Sequence, residues 1–162
     1  MTPSIAQFMR DLEQVWDAHQ QALIQRRDLR AALAQLAAEP AITHIPAMTG
    51  GTGRQAVERF YADQFLPHLP ADLTLRRISR TVDRWRLVDE TTVSFTHDRE
   101  LPWLLPGAEP TFRRAEALAI AVVGFDRTRI RSQRVLWDHA TLAGQLGLAH
   151  QITAPAATDL AR

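Results

Sequence analysis

Four long strand-like segments fill the second half of this chain, and they constrain its fold more than any other feature. Each is rich in β-branched residues or alternates apolar with polar positions, as strands do. Asp126 and Arg127 alone separate the last two segments, which predicts a tight hairpin. We therefore expect consecutive antiparallel strands in one sheet. The four segments span residues 73–83, 85–97, 112–125 and 128–138.

Helices are predicted ahead of these strands. Apolar residues recur at three- and four-residue spacing over residues 3–26, which predicts an amphipathic helix capped by Thr2. Asp28 is expected to cap a second, short helix that ends at Pro40. Residues 41–46 have the character of a short strand, and a third helix follows.

Helices segregated ahead of an antiparallel sheet indicate an α+β fold. The expected architecture is a cone-shaped barrel, in which N-terminal helices pack on a curved, mainly antiparallel sheet. Such a cone encloses an apolar cavity, and a cavity of this kind is the first place to expect a ligand. We expect one domain over residues 1–150 and a flexible tail over residues 151–162, which are rich in Ala and Thr.

Missing residue types narrow the chemistry. The 162 residues include no Cys and no Lys, so all 19 basic residues are Arg. These absences exclude thiol nucleophiles, Cys-bound metal sites and Schiff-base chemistry. The 18 acidic residues leave a net charge of +1, which does not favour a nucleic-acid partner.

The remaining composition favours an ordinary cytoplasmic protein. No apolar stretch is long enough to cross a bilayer, and the N-terminus lacks the pattern of a signal peptide. We expect no membrane contact and no cofactor. His44, His97 and Asp138 could form a two-histidine, one-carboxylate metal set, but nothing in their spacing supports it, and we predict no bound metal.

The first catalytic candidate is Asp138, at the end of the last predicted strand. It follows Trp137, and a carboxylate beside a large aromatic residue in a half-buried site can have a raised pKa suited to proton transfer. The alternative is that Asp138 only caps the helix that begins at His139.

The second catalytic candidate is His97. It shares one strand face with Val93 and Phe95, which would place its imidazole on an apolar face beside the cavity. The alternative is a hydrogen-bonded histidine of the core or of a loop. His44, among the apolar residues of the short strand, has the same two interpretations.

Several further residues are expected to bind the substrate. Trp103 lies in a segment with three prolines that has to be a loop, and we expect it to form a lid. Arg80 would either bind an anionic group or pair with a carboxylate such as Glu90. The full set of predicted substrate-binding residues is His44, Trp103, Trp137, Phe95, Trp16, Tyr61 and Arg80.

The order of elements, Trp137-Asp138 and Gln145-Leu146-Gly147 together resemble the SnoaL-like polyketide cyclase branch of the nuclear transport factor 2-like superfamily. The resemblance runs from about Phe8 to His150. In SnoaL-like cyclases an aspartate seven residues before this Gln-Leu-Gly serves as acid/base, which implies that role for Asp138. The chain also resembles an uncharacterised subgroup of this branch, but Phe112 replaces the glycine that is usual there.

The resemblance implies a cofactor-independent enzyme of cyclase, isomerase or hydrolase type. Its carboxylate acid/base would act on a small apolar or cyclic carbonyl compound inside the cavity. The alternative is a ligand-binding or protein-interaction module of the same fold without catalysis. Relatives of this fold often pair through the sheet, so we also expect a homodimer.

Overall fold

A computed structural model describes residues 3–150 of the protein. The tail predicted over residues 151–162 and the predicted cap Thr2 lie outside the described residues. Within that range the first helix is capped by Ser4, whose hydroxyl accepts a hydrogen bond from the Gln7 backbone N–H at 3.1 Å. Asp28 caps the second helix as predicted, since its carboxylate accepts from the Ala31 N–H at 3.0 Å.

Residues 3–150 contain four α-helices. Two of them continue into a π-helical turn, α1 over Gln21–Gln25 and α3 over Phe60–Phe65, and α3 then ends in a 3-10 turn. The helices are α1 (Ile5–Gln20), α2 (Leu29–Leu33), α3 (Arg54–Arg59) and α4 (His139–Leu146).

Six strands form one sheet in the order β2-β1-β6-β5-β4-β3. The β1–β6 pair is parallel and every other pair is antiparallel. The sheet is curved and does not close, which confirms the α+β class with helices packed on a mainly antiparallel sheet. The strands are β1 (Leu36–Ile45), β2 (Thr49–Thr52), β3 (Thr74–Val82), β4 (Arg86–Thr96), β5 (Arg114–Asp126) and β6 (Arg129–Trp137).

The predicted end of the second helix at Pro40 is wrong. The helix ends at Leu33, and Pro40 lies inside β1. The register of β1 against β6 shifts between Leu36 and Ala41, so Pro40 falls in an irregular stretch where its missing N–H removes no ladder bond. Its carbonyl still accepts a hydrogen bond from the Gly53 N–H at 2.8 Å.

The central strand β5 makes room for a cavity. Four successive inward positions are small, since Ala115, Ala117, Ala119 and Ala121 alternate along the strand and are all buried. Neighbouring strands carry larger side chains, so the middle of the sheet is hollow where β5 runs through it. This spacing of small residues places the cavity above β5.

Candidate functional site

A cavity of about 420 Å³ lies between the sheet and the helices. One row of residues crosses its floor from β3 to β1, because each is the register partner of the next: Arg80, Asp89, Ala121, Val135 and His44. Directly opposed residues share one face of a sheet. All five therefore point into the cavity and line it.

The β1 end of this row is aromatic. The His44 ring centroid lies 5.4 Å from that of Trp103, 5.7 Å from that of Phe65 and 6.3 Å from that of Trp137. Phe60 contributes a further ring at 5.7 Å. This apolar shell favours the uncharged imidazole, and burial lowers the pKa of His44 to about 3.

Trp137 fixes the tautomer of His44. The indole N–H of Trp137 donates to His44 Nδ1 at 3.2 Å, so the neutral ring carries its proton on Nε2. Nε2 has no hydrogen-bond partner among residues 3–150, and His44 is part of the cavity lining. His44 thus presents a neutral N–H donor to whatever occupies the aromatic end.

The other end of the row is charged. Arg80 donates to both carboxylate oxygens of Asp89, from Nε at 2.6 Å and from Nη2 at 2.8 Å, and the same guanidinium donates to Asp17 at 2.7 Å. Glu13 lies 3.7 Å from Arg80 Nη1. Trp16 also donates its indole N–H to Asp89 Oδ2 at 2.7 Å. This cluster ties α1 to β3 and β4.

Burial opposes the charge on Arg80, but its hydrogen bonds with Asp89 and Asp17 outweigh that effect and raise the pKa of the guanidinium. Asp89 is 5% exposed and is the one buried carboxylate in the described cavity lining. Three of its four lone-pair positions accept hydrogen bonds, which leaves one on Oδ1.

A third polar group lies between the helices and β6. His19 Nδ1 is 3.1 Å from the Ala32 carbonyl oxygen, and His19 Nε2 is 3.1 Å from the Tyr61 hydroxyl. That hydroxyl is 3.3 Å from the side-chain amide of Gln133. Burial lowers the pKa of His19 to about 4 and raises that of Tyr61. Tyr61 and Gln133 line the cavity, and His19 supports them from behind.

Six of the seven predicted substrate-binding residues come together around this cavity. Trp103 reaches it from the proline-rich loop, held there by the Thr49 hydroxyl, which donates to the Trp103 carbonyl at 2.6 Å. Arg80 pairs with a carboxylate, but Glu90 is not the partner, because it points to the other face and accepts from Ser79 at 2.8 Å. The six are His44, Trp103, Trp137, Trp16, Tyr61 and Arg80.

Asp138 lies outside the cavity lining. Its side chain is exposed and accepts a hydrogen bond from the Thr141 N–H at 3.2 Å, which makes it the cap of α4. The expectation of a raised pKa was wrong: hydrogen bonding with Thr141 lowers the pKa of Asp138. The physical reason is the alternation along β6, which turns Trp137 into the cavity and leaves the next residue facing solvent.

Phe95 and His97 are also outside the lining. The inward positions of β4 that reach the cavity end at Val93, and Phe95 packs in the core beyond them. His97 is held in the following loop, where its Nδ1 lies 3.2 Å from the Thr111 hydroxyl. Burial lowers its pKa, and its Nε2 is the one buried side-chain nitrogen or oxygen without a partner in residues 3–150.

Asp89 and Gln133 line the cavity but were not predicted from the sequence as site residues. A signal for Asp89 existed, because it shares the inward face of β4 with Leu87 and Val93 in a strict two-residue alternation. A carboxylate within such an apolar face needs a buried partner. Nothing comparable marks Gln133, since polar residues are frequent along β6.

Within residues 3–150, no three His, Asp or Glu side chains are grouped so as to hold a metal ion. In the same range no helix combines the length and the apolar character needed to cross a bilayer.

No protein-family profile and no curated protein sequence matches this chain. Solved structures do. A protein of unknown function from Burkholderia pseudomallei, described as nuclear transport factor 2-like, is 23% identical, with a TM-score of 0.64 over 84% of this chain and 97% of that one. A candidate SnoaL-like polyketide cyclase from Jannaschia is 11% identical, with a TM-score of 0.66 over 88% of this chain and 97% of that one.

This chain has the nuclear transport factor 2-like fold. The same fold is present in a hypothetical protein from Catenulispora acidiphila, described as ketosteroid isomerase-like and solved in complex with trimethylamine. It is 14% identical, with a TM-score of 0.64 over 86% of this chain and 96% of that one. At these identities the likeness is one of fold, and the predicted resemblance to SnoaL-like proteins is confirmed at that level.

Proposed function

We propose that the cavity is the active site of a small-molecule enzyme that moves a proton on a cyclic carbonyl compound. The observation that carries this proposal is His44, a neutral imidazole whose free Nε2–H faces an aromatic cavity. Such a donor stabilises negative charge that develops on a carbonyl oxygen, and it does so best where water is excluded.

Asp89 takes the acid/base role that the sequence reasoning gave to Asp138. It is the buried carboxylate of the lining and keeps one free lone pair on Oδ1. Asp89 would accept a proton from a C–H bond, the C–H electron pair would form a double bond, and charge would move to the carbonyl oxygen at His44. Return of the proton to another carbon completes an isomerisation without any other reactant.

The spacing of the two residues narrows the substrate. Asp89 and His44 are separated by three strand spacings, roughly 14 Å along a flat sheet and less on a curved one. A substrate that uses both residues therefore carries its labile C–H several bonds from the carbonyl and conjugated with it. Fused cyclic enones have this property, and a cavity of about 420 Å³ has space for two or three rings.

The test is deuterium exchange into a fused bicyclic enone dissolved in D₂O, followed by proton NMR. We expect the wild type to accelerate exchange at the far ring carbon, and Asp89→Asn and His44→Phe to slow it by about a hundredfold or more. Asp138→Asn is the matched control, because it neutralises an aspartate outside the cavity, and it should exchange at the wild-type rate. An unchanged rate in Asp89→Asn would remove Asp89 from the mechanism.

A second candidate is a binding module without catalysis. The observation in its favour is that Arg80 and Trp16 occupy three of the four acceptor positions of Asp89, so most of this carboxylate is already bound by protein groups. In that case the wild type would bind the enone while exchange stayed at the rate of the buffer alone.

The homodimer and the cytoplasmic location stay predictions.

A further inference from the structure

The hydrogen bonds behind the cavity wall permit one placement of protons. The Ala32 carbonyl oxygen can only accept, so the proton of the His19 ring is on Nδ1, 3.1 Å away. A neutral ring then has a bare lone pair on Nε2. That lone pair accepts the hydrogen of the Tyr61 hydroxyl, which lies 3.1 Å from it.

Tyr61 has only one hydroxyl hydrogen, and it donates that hydrogen to His19 in a hydrogen bond. The contact of 3.3 Å between the Tyr61 oxygen and Gln133 Oε1 would then bring two acceptors together. A half-turn of the Gln133 amide exchanges its oxygen and nitrogen without moving any other atom. In that orientation Gln133 donates to Tyr61, each of these hydrogen bonds joins a donor to an acceptor, and Oε1 takes the place of the amide nitrogen on a side chain that lines the cavity.

We infer that Gln133 is a specificity-determining residue whose side-chain oxygen accepts a hydrogen bond from a hydroxyl group of the ligand. This inference rests on the proposed function, in which His44 donates to a carbonyl. Together the two residues present one donor and one acceptor on the β1–β6 side of the cavity, apart from the charged cluster of Arg80 and Asp89. The ligand class is therefore a hydroxylated cyclic ketone.

The positions of the two residues set the separation of the two groups on the ligand. Gln133 on β6 is the register partner of Ile42, and His44 follows Ile42 by two residues on β1. One strand spacing and two residues along the strand give roughly 8 Å between the two backbone positions. This matches a fused two-ring molecule that carries its carbonyl on one ring and its hydroxyl at the far side of the other.

Four ligands with the same fused two-ring skeleton test the carbonyl contact at His44 and the hydroxyl contact at Gln133 separately. Tetralin has neither group, α-tetralone has the carbonyl, tetrahydronaphthol has the phenolic hydroxyl, and a hydroxy-α-tetralone with the hydroxyl on the far ring has both. Calorimetry on the wild type should show the hydroxyl strengthening binding about tenfold, with or without the carbonyl. In Gln133→Met, which keeps the length of the side chain, this gain should fall below about twofold while α-tetralone binds as before.

The outcomes distinguish the two proposals. If the hydroxyl adds nothing in the wild type, or if its gain survives in Gln133→Met, the role of Gln133 is overturned, and the preference for α-tetralone over tetralin still reports on His44. If α-tetralone binds no better than tetralin while the phenol does, the carbonyl contact at His44 fails and Gln133 stands. Absence of binding by all four probes overturns both.

The proton placement has a test without any ligand. A long-range proton–nitrogen NMR spectrum of the histidine rings should show His19 protonated on Nδ1 at neutral pH. Protonation on Nε2 would contradict the chain of donors from which the Gln133 orientation follows. In Tyr61→Phe the Gln133 amide loses its anchor, so the hydroxyl gain should fall as it does in Gln133→Met, and a retained gain would count against the inference.

Discussion

The two ends of the cavity treat their polar groups differently. At the charged end, Arg80 and Trp16 both donate to Asp89 and leave a single acceptor position on its carboxylate free. At the aromatic end, His44 has one hydrogen-bond partner among residues 3–150, Trp137, and its second nitrogen is left free on a side chain that lines the cavity. A buried charge needs partners, whereas a neutral imidazole tolerates an open position. Charge therefore holds the fold together at one end, and neutrality leaves a donor available at the other.

The largest expected effect is a loss of folding stability in acid that comes from the buried neutral histidines and not from the charged cluster. Histidine in the unfolded chain binds a proton below about pH 6.5, but folded His19 stays neutral down to about pH 4 and His44 to about pH 3. Stability is complete above pH 6.5 and falls below it, because the unfolded state then binds more protons. At pH 4, each of the two histidines should have lowered the free energy of unfolding by about 3 kcal/mol.

Urea unfolding across this pH range measures the effect. In His44→Phe, which keeps an aromatic ring among aromatic neighbours, about half of the loss should disappear. The same pH dependence in wild type and variant would mean that His44 is protonated in the folded protein, and the contrast between the two ends would not hold.

Removal of the buried carboxylate should give the next largest effect. Asp89→Ala leaves the Trp16 indole without its acceptor and Arg80 with only its outer partners, and we expect a loss of about 3 kcal/mol in the free energy of unfolding. Asp17→Ala is the matched control, because the Asp17 side chain is 48% exposed, and it should lose less than about 1 kcal/mol. Equal losses would show that burial does not set the strength of this cluster.

Changes in the hydrogen-bond network of His19, Tyr61 and Gln133 behind the cavity wall should lower stability by a smaller amount. Tyr61→Phe leaves the buried Nε2 of His19 without a donor, at a cost of about 2 kcal/mol. A double-mutant cycle with His19→Leu isolates the contact, since Tyr61→Phe should cost much less when the imidazole is already absent. Additive losses in chemical denaturation would argue against a hydrogen bond between them.

The smallest effect should come from Asp138, which faces away from the cavity. Asp138→Ala removes the cap of α4 and should lower stability by about 1 kcal/mol. Asp138→Asn keeps a capping oxygen and should be close to wild type in thermal unfolding. A large loss of enone exchange in Asp138→Asn at unchanged stability would instead restore Asp138 as the catalytic carboxylate.

Local patterns predicted much of the fold. The alternation over residues 128–138 corresponds to β6, which spans Arg129–Trp137, and Asp28 caps α2 as expected. The second helix was extended too far because a proline is a helix breaker on average, while here a register shift in β1 accommodates Pro40.

Only part of the site was predicted, because the sequence shows the type of a residue but not the direction in which its side chain faces. Aromatic residues of the lining stand out in the sequence by type, and six of seven predicted substrate-binding residues lie there. Asp138 and Asp89 are both aspartates of predicted strands, and residue type cannot rank them. Their difference is one of facing direction and neighbours, since one ends its strand at the surface and the other stands opposite Arg80.

By itself the sequence determined the four long strands of the second half, the cap Asp28 and the absence of thiol and amine nucleophiles, because these depend on residue type and on spacings of a few residues. Tertiary structure alone decided which polar groups meet. Trp137 reaches His44 across 93 positions, Trp16 reaches Asp89 across 73 and Tyr61 reaches Gln133 across 72. The first contact follows from strand order and register, through which the parallel β1–β6 pair brings His44 beside β6. The other two follow from the packing of the helical segments that carry Trp16 and Tyr61 against the sheet.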